Sequence, residues 1–407
     1  MAKKSYLPLI SSLYFNYIFQ GMAAIILSQN MDSLKVYWQA SMTQITLVMS
    51  AIGLGRALVL YFSGYFSDRF GRKKTVMIAL ISYAIFFIGL LASRHFLLAI
   101  FFALFGGISN AFLDTSTYPT LVEAYPEEKI NSALSVLNKA FISLGQFILP
   151  FLTRFLLNHN LFFGWTFIMC TVFLLANMVF LYFSSFPPLT TRKDLSLQNE
   201  KVLHNKKNRS NPNVGIFKID GFALLVFSFV SVSIFNIFIL WIPKYAEAMG
   251  VASRENSLTF VSIYSVGSFV SVFLTAAIVR KGINIPKFIL LCLLLSAGAL
   301  LLMLVIPTFL SIVIAAITIG VFAAGGIWQL GLALMLDLFP NYKGKYTSYY
   351  SLATAIAIMI TPFITGVLSQ WSISAIFWFN FILVLFGLGA SIVIDARYQR
   401  VMQKNNS

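Results

Sequence analysis

Three ionisable side chains sit deep within apolar stretches of this sequence: Arg56, Asp114 and Lys139. A charge inside hydrocarbon costs about 2.5–3.5 kcal/mol on insertion scales, so each such residue needs a partner or a task. Two cations and one carboxylate can do specific chemistry. Arg56 and Lys139 can offer positive charge to an anionic group of a solute. Asp114 can pair with one of them, or take up and release a proton. A carboxylate locked to a cation is a poor proton acceptor, so both roles fit together only if the pair separates in a working cycle. A purely structural pair, Asp114 with Lys139, is the plainer reading, and it leaves Arg56 uncompensated. At 1.5 Å of rise per helical residue, Arg56 lies roughly 18 Å from Asp68, while Asp114 and Lys139 lie roughly 13 Å from Glu123 and Ile130. All three therefore fall at similar depth. Softer signals come from amides. Asn16 and Gln20, in step with Ser12 and beside Tyr17, mark one helical face. Asn236 and Gln329 lie in later apolar runs, and all four amides are expected to line a polar cavity, whereas most Ser and Thr in such runs serve helix packing.

The elements that must position these groups are membrane helices. Of 407 residues, 59% are hydrophobic and 10% charged, and mean hydropathy is +0.84. A soluble domain carries about 25% charged residues. Apolar runs near 6–27, 41–65, 75–92, 96–121, 132–157, 162–184, 219–242, 258–279, 288–306, 309–338, 346–369 and 373–394 approach or exceed the roughly 20 residues that cross a bilayer. The first run is too long for a signal peptide and is read as a retained span. The fold class expected is an all-α membrane protein of twelve helices in two halves: a six-helix bundle over 1–185, a polar linker over 186–218 and a second bundle over 219–407. Twenty-two of the 29 Lys and Arg flank the spans on the side of the termini and five on the other. That asymmetry predicts cytoplasmic termini in a multi-pass cell-membrane protein. The net charge of +16 is spread through short connecting segments, which suits lipid headgroups and excludes a nucleic-acid-binding face. Cys170 and Cys292 lie in separate apolar runs, and His95, His159 and His204 are scattered, so no disulfide framework, metal site or surface catalytic cluster can be assembled. Glu123, Glu127 and Glu128 read as a cytoplasmic loop beside Lys129.

One burst of charge, Gly64-Tyr65-Phe66-Ser67-Asp68-Arg69-Phe70-Gly71-Arg72-Lys73-Lys74, separates the second and third runs. Its typed positions Gly64, Asp68, Arg69, Gly71, Arg72 and Lys73 would form a charged clasp at the membrane surface. The pattern resembles the signature between helices two and three of the major facilitator superfamily of transporters. Echoes between the halves support a parallel repeat: Arg69-Phe70-Gly71 with Arg280-Lys281-Gly282, Gly106-Gly107-Ile108 with Gly325-Gly326-Ile327, and Pro150-Phe151 with Pro362-Phe363. In the second copy Val279 replaces the Asp. The resemblance implies alternating access to a central small-molecule site, no cofactor, a proton or other ion gradient as driving force, and a monomer. Gly106-Gly107 through Asp114-Thr115, followed by Leu134-Ser135-Val136-Leu137-Asn138, also resembles the fucose and glucose–galactose proton symporter branch, which would make Asp114 the proton carrier. The drug/proton antiporter branch fits less well, since Leu149 stands where it places Gly before Pro150. The expectation is therefore proton-coupled uptake of a small organic solute, leaning to an organic anion or sugar-like compound. The alternative is proton-driven efflux of drugs or metabolites, and a polytopic membrane enzyme or receptor is the distant one.

Overall fold

A computed structural model describes residues 6–125, 128–188, 217–280, 283–339 and 343–406. Twelve helices long and apolar enough to cross a membrane follow one another: α1 Leu7–Gln29, α2 Met42–Phe70, α3 Arg72–Ala92, α4 Phe96–Ala124, α5 Leu137–Asn158, α6 Trp165–Phe183, α7 Phe217–Ala248, α8 Arg254–Thr275, α9 Ile285–Val305, α10 Phe309–Leu338, α11 Lys345–Leu368 and α12 Ile373–Arg400. The even number of these described spans puts Leu7 and Arg400 on one side, called here the termini side; the opposite side is the far side. Most of the linker expected over 186–218, and the echo at Arg280-Lys281-Gly282, lie outside the described residues.

The apolar runs become helices because nothing in hydrocarbon can satisfy a peptide group except the helix itself. Polar punctuation sets their ends. On the far side, Ser41 caps α2 and its own backbone is capped in return by Gln44, while Thr308 and Ser311 do the same for α10. Gly71, at φ 95°, separates α2 from α3, a conformation that costs a side chain energy and glycine nothing. Gly64 does not break the helix: α2 runs through the charged segment to Phe70, because a helix outside hydrocarbon can carry charge freely. Of the helices, α1 and α7 are the most buried and α6 and α12 the least, so the former stand at the centre.

Glycines set the closest approaches. A Cβ on Gly107 would lie 1.9 Å from the Ile52 carbonyl oxygen, so α4 touches the α2 backbone. A Cβ on Gly325 would lie 1.5 Å from Ser271 Oγ, so α10 meets α8 in the corresponding way. The two copies differ locally. The first Gly-Gly lies in a continuous helix, whereas α10 widens to a π-helical turn over Ile319–Ala324 and bends at Gly325 and Gly326.

The halves meet through α2 against α11 and α5 against α8. Exchanging the halves turns one pair into the other, as a two-fold repeat requires. Among the described residues, the hydrogen bonds and ion pairs joining the halves lie from mid-bundle to the far side. Thr43 donates to the Gly366 carbonyl (2.7 Å) and accepts from Gln370 (3.0 Å); Ser143 and Ser268 share a bond of 2.9 Å; Ser262 donates to the Phe147 carbonyl (2.9 Å). Beyond the α2–α11 turns, Asp32 of the short helix Met31–Tyr37 accepts a hydrogen bond from Lys244 (2.6 Å) and forms an ion pair with Arg254 (3.0 Å). Toward the termini side α2 separates: a Cβ on Gly53 would lie 2.4 Å from the Met359 nitrogen of α11, whereas nothing lies within 4 Å of a Cβ built on Gly64, about three turns further on. The bundle is latched on its far side.

Candidate functional site

Arg56 on α2 and Asp114 on α4 face each other because Gly107 and Gly55 bring those helices into backbone contact. Arg56 Nη2 donates to Asp114 Oδ2 at 3.0 Å. Tyr17 of α1, fully buried, donates to the other carboxylate oxygen at 3.2 Å. The side chains of the pair keep 21% and 18% exposure, so a solute or water can still reach them. Arg56 Nε has no hydrogen-bond partner. The pairing of Asp114 with Lys139 considered from the sequence does not occur. Arg56 takes the carboxylate, since α2 lies directly against α4 while α5 packs mainly on α1 and α8.

Lys139 stands apart on α5. Its ammonium lies 4.8 Å from the centroid of the Phe235 ring, which α7 supplies from the second half. It makes no salt bridge with an acidic residue among the described residues. The amides are dispersed. Asn16 is buried and accepts from Asn177 of α6 at 2.7 Å, an interaction within the first half. Gln20 is buried with Oε1 unpartnered. Asn236 donates to the Val232 carbonyl of its own helix, and Gln329 is exposed. The structure thus joins Arg56 and Asp114, adds Tyr17, and brings Lys139 to Phe235. Two hollows, about 240 Å³ beside Asn30 and Thr153 and about 540 Å³ between α7 and α11, are lined by other residues.

At the termini side, the charged segment closes on Arg72. Its guanidinium donates to Asp68 (2.7 Å), to Ser67 (2.8 Å) and through two nitrogens to Glu123 (3.1 and 3.0 Å), and it is only 7% exposed. Glu123 is therefore not a loop residue: it belongs to α4, its side chain is 4% exposed, and it ties α4 to the α2–α3 junction. The local sequence, three Glu near a Lys, hid this because the partner lies 51 positions earlier. Ser67 adds a bond to the Thr115 carbonyl (2.9 Å). Arg69 turns instead to Tyr65 (2.6 Å), and Lys73 reaches the Ser184 carbonyl (3.3 Å) over the Tyr182 ring. Asp68 remains 75% exposed on its other side.

Sequence reasoning also missed Phe235, Asn177 and the far-side group Asp32, Lys244 and Arg254. The last had a signal: opposite charges on the side where charges are scarce.

Known proteins agree with this architecture. The sequence profile described as Major Facilitator Superfamily matches residues 12–321 and 259–405. The chain is 35% identical over 398 residues to the inner membrane transport protein YdiM of Escherichia coli, covering 98% of this chain and 96% of that one. It is 34% identical to the MFS-type transporter YfkL of Bacillus subtilis, over 96% of each. The crystal structure of a D-xylose-proton symporter superposes with a TM-score of 0.74 at 17% identity, covering 96% of this chain and 97% of that one, which speaks to the fold alone. With twelve spans in two halves and the profile matched along nearly its whole length, the chain belongs to the major facilitator superfamily of membrane transporters.

Proposed function

We propose that the protein is a proton-coupled importer of a small organic solute, an organic anion or sugar-like compound, working by alternating access. The observation that carries this reading is the partly exposed Arg56–Asp114 pair with Tyr17 on its second oxygen. Protonation of Asp114 would remove the charge that holds Arg56. The freed guanidinium then donates to an acceptor group of the solute, so that proton and solute bind as a linked pair. Lys139, Asn16, Gln20, Asn236 and Gln329 complete the proposed pathway. The termini side faces the cytoplasm by its excess of Lys and Arg. The far-side latch then makes this the inward-facing state, from which an importer releases its load. The segment from Gly64 to Lys73 serves as a conformational element, with Arg72 joining three helices at the rim. A monomer of two bundles joined by the 186–218 linker suffices for this cycle. The likeness of the fold to a D-xylose-proton symporter supports the coupling by analogy.

The test is uptake into proteoliposomes under an imposed pH gradient, alkaline inside, across acids, sugars and amphiphilic cations. An acid or sugar should accumulate, and a protonophore should abolish the accumulation. Proton-driven outward movement of amphiphilic cations, with no uptake of acids or sugars, would refute import in favour of efflux.

A further inference from the structure

We propose that Lys139 and Phe235 together form a subsite for the single carboxylate of a ring-bearing organic monoanion, one residue coming from each half. This rests on the transport reading above and narrows its substrate class. The charge balance inside the spans leads to it. Arg56 is compensated by Asp114 at 3.0 Å, whereas Lys139 has no acidic partner among the described residues. While Asp114 is ionised and holds Arg56, the one uncompensated positive charge is that of Lys139 and calls for one negative charge; a dianion would leave the excess on the other side. The Phe235 ring, 4.8 Å from the ammonium, offsets part of the cost of an ammonium without a counter-ion. It also presents a flat apolar surface beside the place a carboxylate would take. A solute with its carboxylate on Lys139 and its ring against Phe235 touches both halves at once, and so rewards their approach.

The wall around Lys139 is also unfinished in polar terms. Ser143 and Gln146 follow it at helical spacing on α5. Ser143 is spent on Ser268, but Gln146 is 4% exposed with Oε1 unpartnered. Gln20 of α1 is 8% exposed with Oε1 unpartnered, next to Gly21, where α1 touches the Ile142 carbonyl of α5. Buried amide oxygens without donors are costly unless something completes them. Hydroxyl groups on the solute body would do so.

The experiment measures ligand-induced thermal stabilisation of the purified full chain. Benzoate, cyclohexanecarboxylate and glucuronate are compared with benzamide, cyclohexanecarboxamide and glucuronamide, and with phthalate as a dianion. At least one monoanion should bind while its amide and phthalate do not. Lys139→Ala should weaken that binding by about 10- to 100-fold. Lys139→Arg should recover part of it, and Phe235→Leu should cost about 2- to 5-fold. If Lys139→Ala melts before it can be measured, Lys139→Met serves in its place. Binding of amide and acid alike, acid binding unchanged without Lys139, or no binding of any of the three acids would each overturn the subsite. Proton-driven uptake of a neutral solute that persists in Lys139→Ala would sink the subsite and leave the transport reading intact. Lys139-dependent acid binding without any uptake would do the reverse.

Discussion

Removing the charge of Asp32 should loosen the far side of the bundle. In Asp32→Asn the side chain keeps its shape, but the two ion pairs across the halves are lost: Lys244 at 2.6 Å, which keeps Glu247 of its own helix at 2.7 Å, and Arg254 at 3.0 Å. The three side chains are 26%, 14% and 40% exposed, so solvent screens them in part. Exposed pairs contribute about 0.2–1 kcal/mol each. Lys244, the most buried, belongs near the top of that range, and the two pairs together give about 1–2 kcal/mol. Since 1.4 kcal/mol is tenfold in an equilibrium constant, the ratio of far-side-closed to far-side-open molecules should fall by roughly 5- to 30-fold. Spin labels at Lys35→Cys and Ser372→Cys, one on each half, report this by double electron–electron resonance. The longer-distance population should grow in Asp32→Asn. High salt should move the wild type the same way, since a Debye length near 3 Å at 1 M screens such pairs. A distance distribution identical in wild type and Asp32→Asn would refute the view that these pairs hold the far side shut.

Other outcomes follow from the same geometry. Arg72→Ala removes the guanidinium that Glu123 and Asp68 share and should cost up to about 3–5 kcal/mol, whereas Glu123→Ala leaves Arg72 its bonds to Asp68 and Ser67 and should cost less. The double variant should lose much less than the sum, read as melting temperature in detergent, and additive losses would show that the contact is not a pair. Gly53→Val places a side chain 2.4 Å from the Met359 nitrogen of the other half, so each half should fold while far-side closure and transport are lost. Gly107→Val strikes the Ile52 carbonyl within one half at 1.9 Å and should instead reduce the yield of monodisperse protein. Equal behaviour of the two glycine variants would count against the division into halves that move as bodies.

Much of this architecture was legible in the chain because hydrophobic length is a one-dimensional property. Where the structure differs, the reasons are local or long-range. The second helix runs past Gly64 to Phe70 and the seventh to Ala248, since helices continue beyond hydrocarbon wherever the backbone allows. The Gly-Gly echo at 106 and 325 points to matching helix contacts, yet only the second copy bends, which the glycines alone do not reveal. Arg56, Asp114 and Lys139 stood out by the cost of burying charge. Which two would pair depended on α2 lying against α4, information held by Gly55 and Gly107 rather than by the charges. Glu123 groups in sequence with Glu127 and Glu128, while its partner Arg72 lies 51 positions earlier. Phe235 carried no signal at all among 41 Phe residues; its role exists only through a cation on the other half.

The most direct measurement separates exchange from accumulation in Asp114→Asn. The substitution keeps the side chain's size and a polar neighbour for Arg56 and Tyr17, but it cannot carry a proton. Proteoliposomes holding the variant should still exchange labelled for unlabelled solute at equal concentration on both sides, while accumulation driven by a pH gradient disappears. Undiminished gradient-driven accumulation in Asp114→Asn would contradict the assignment of the Arg56–Asp114 pair as the site where proton and solute are coupled.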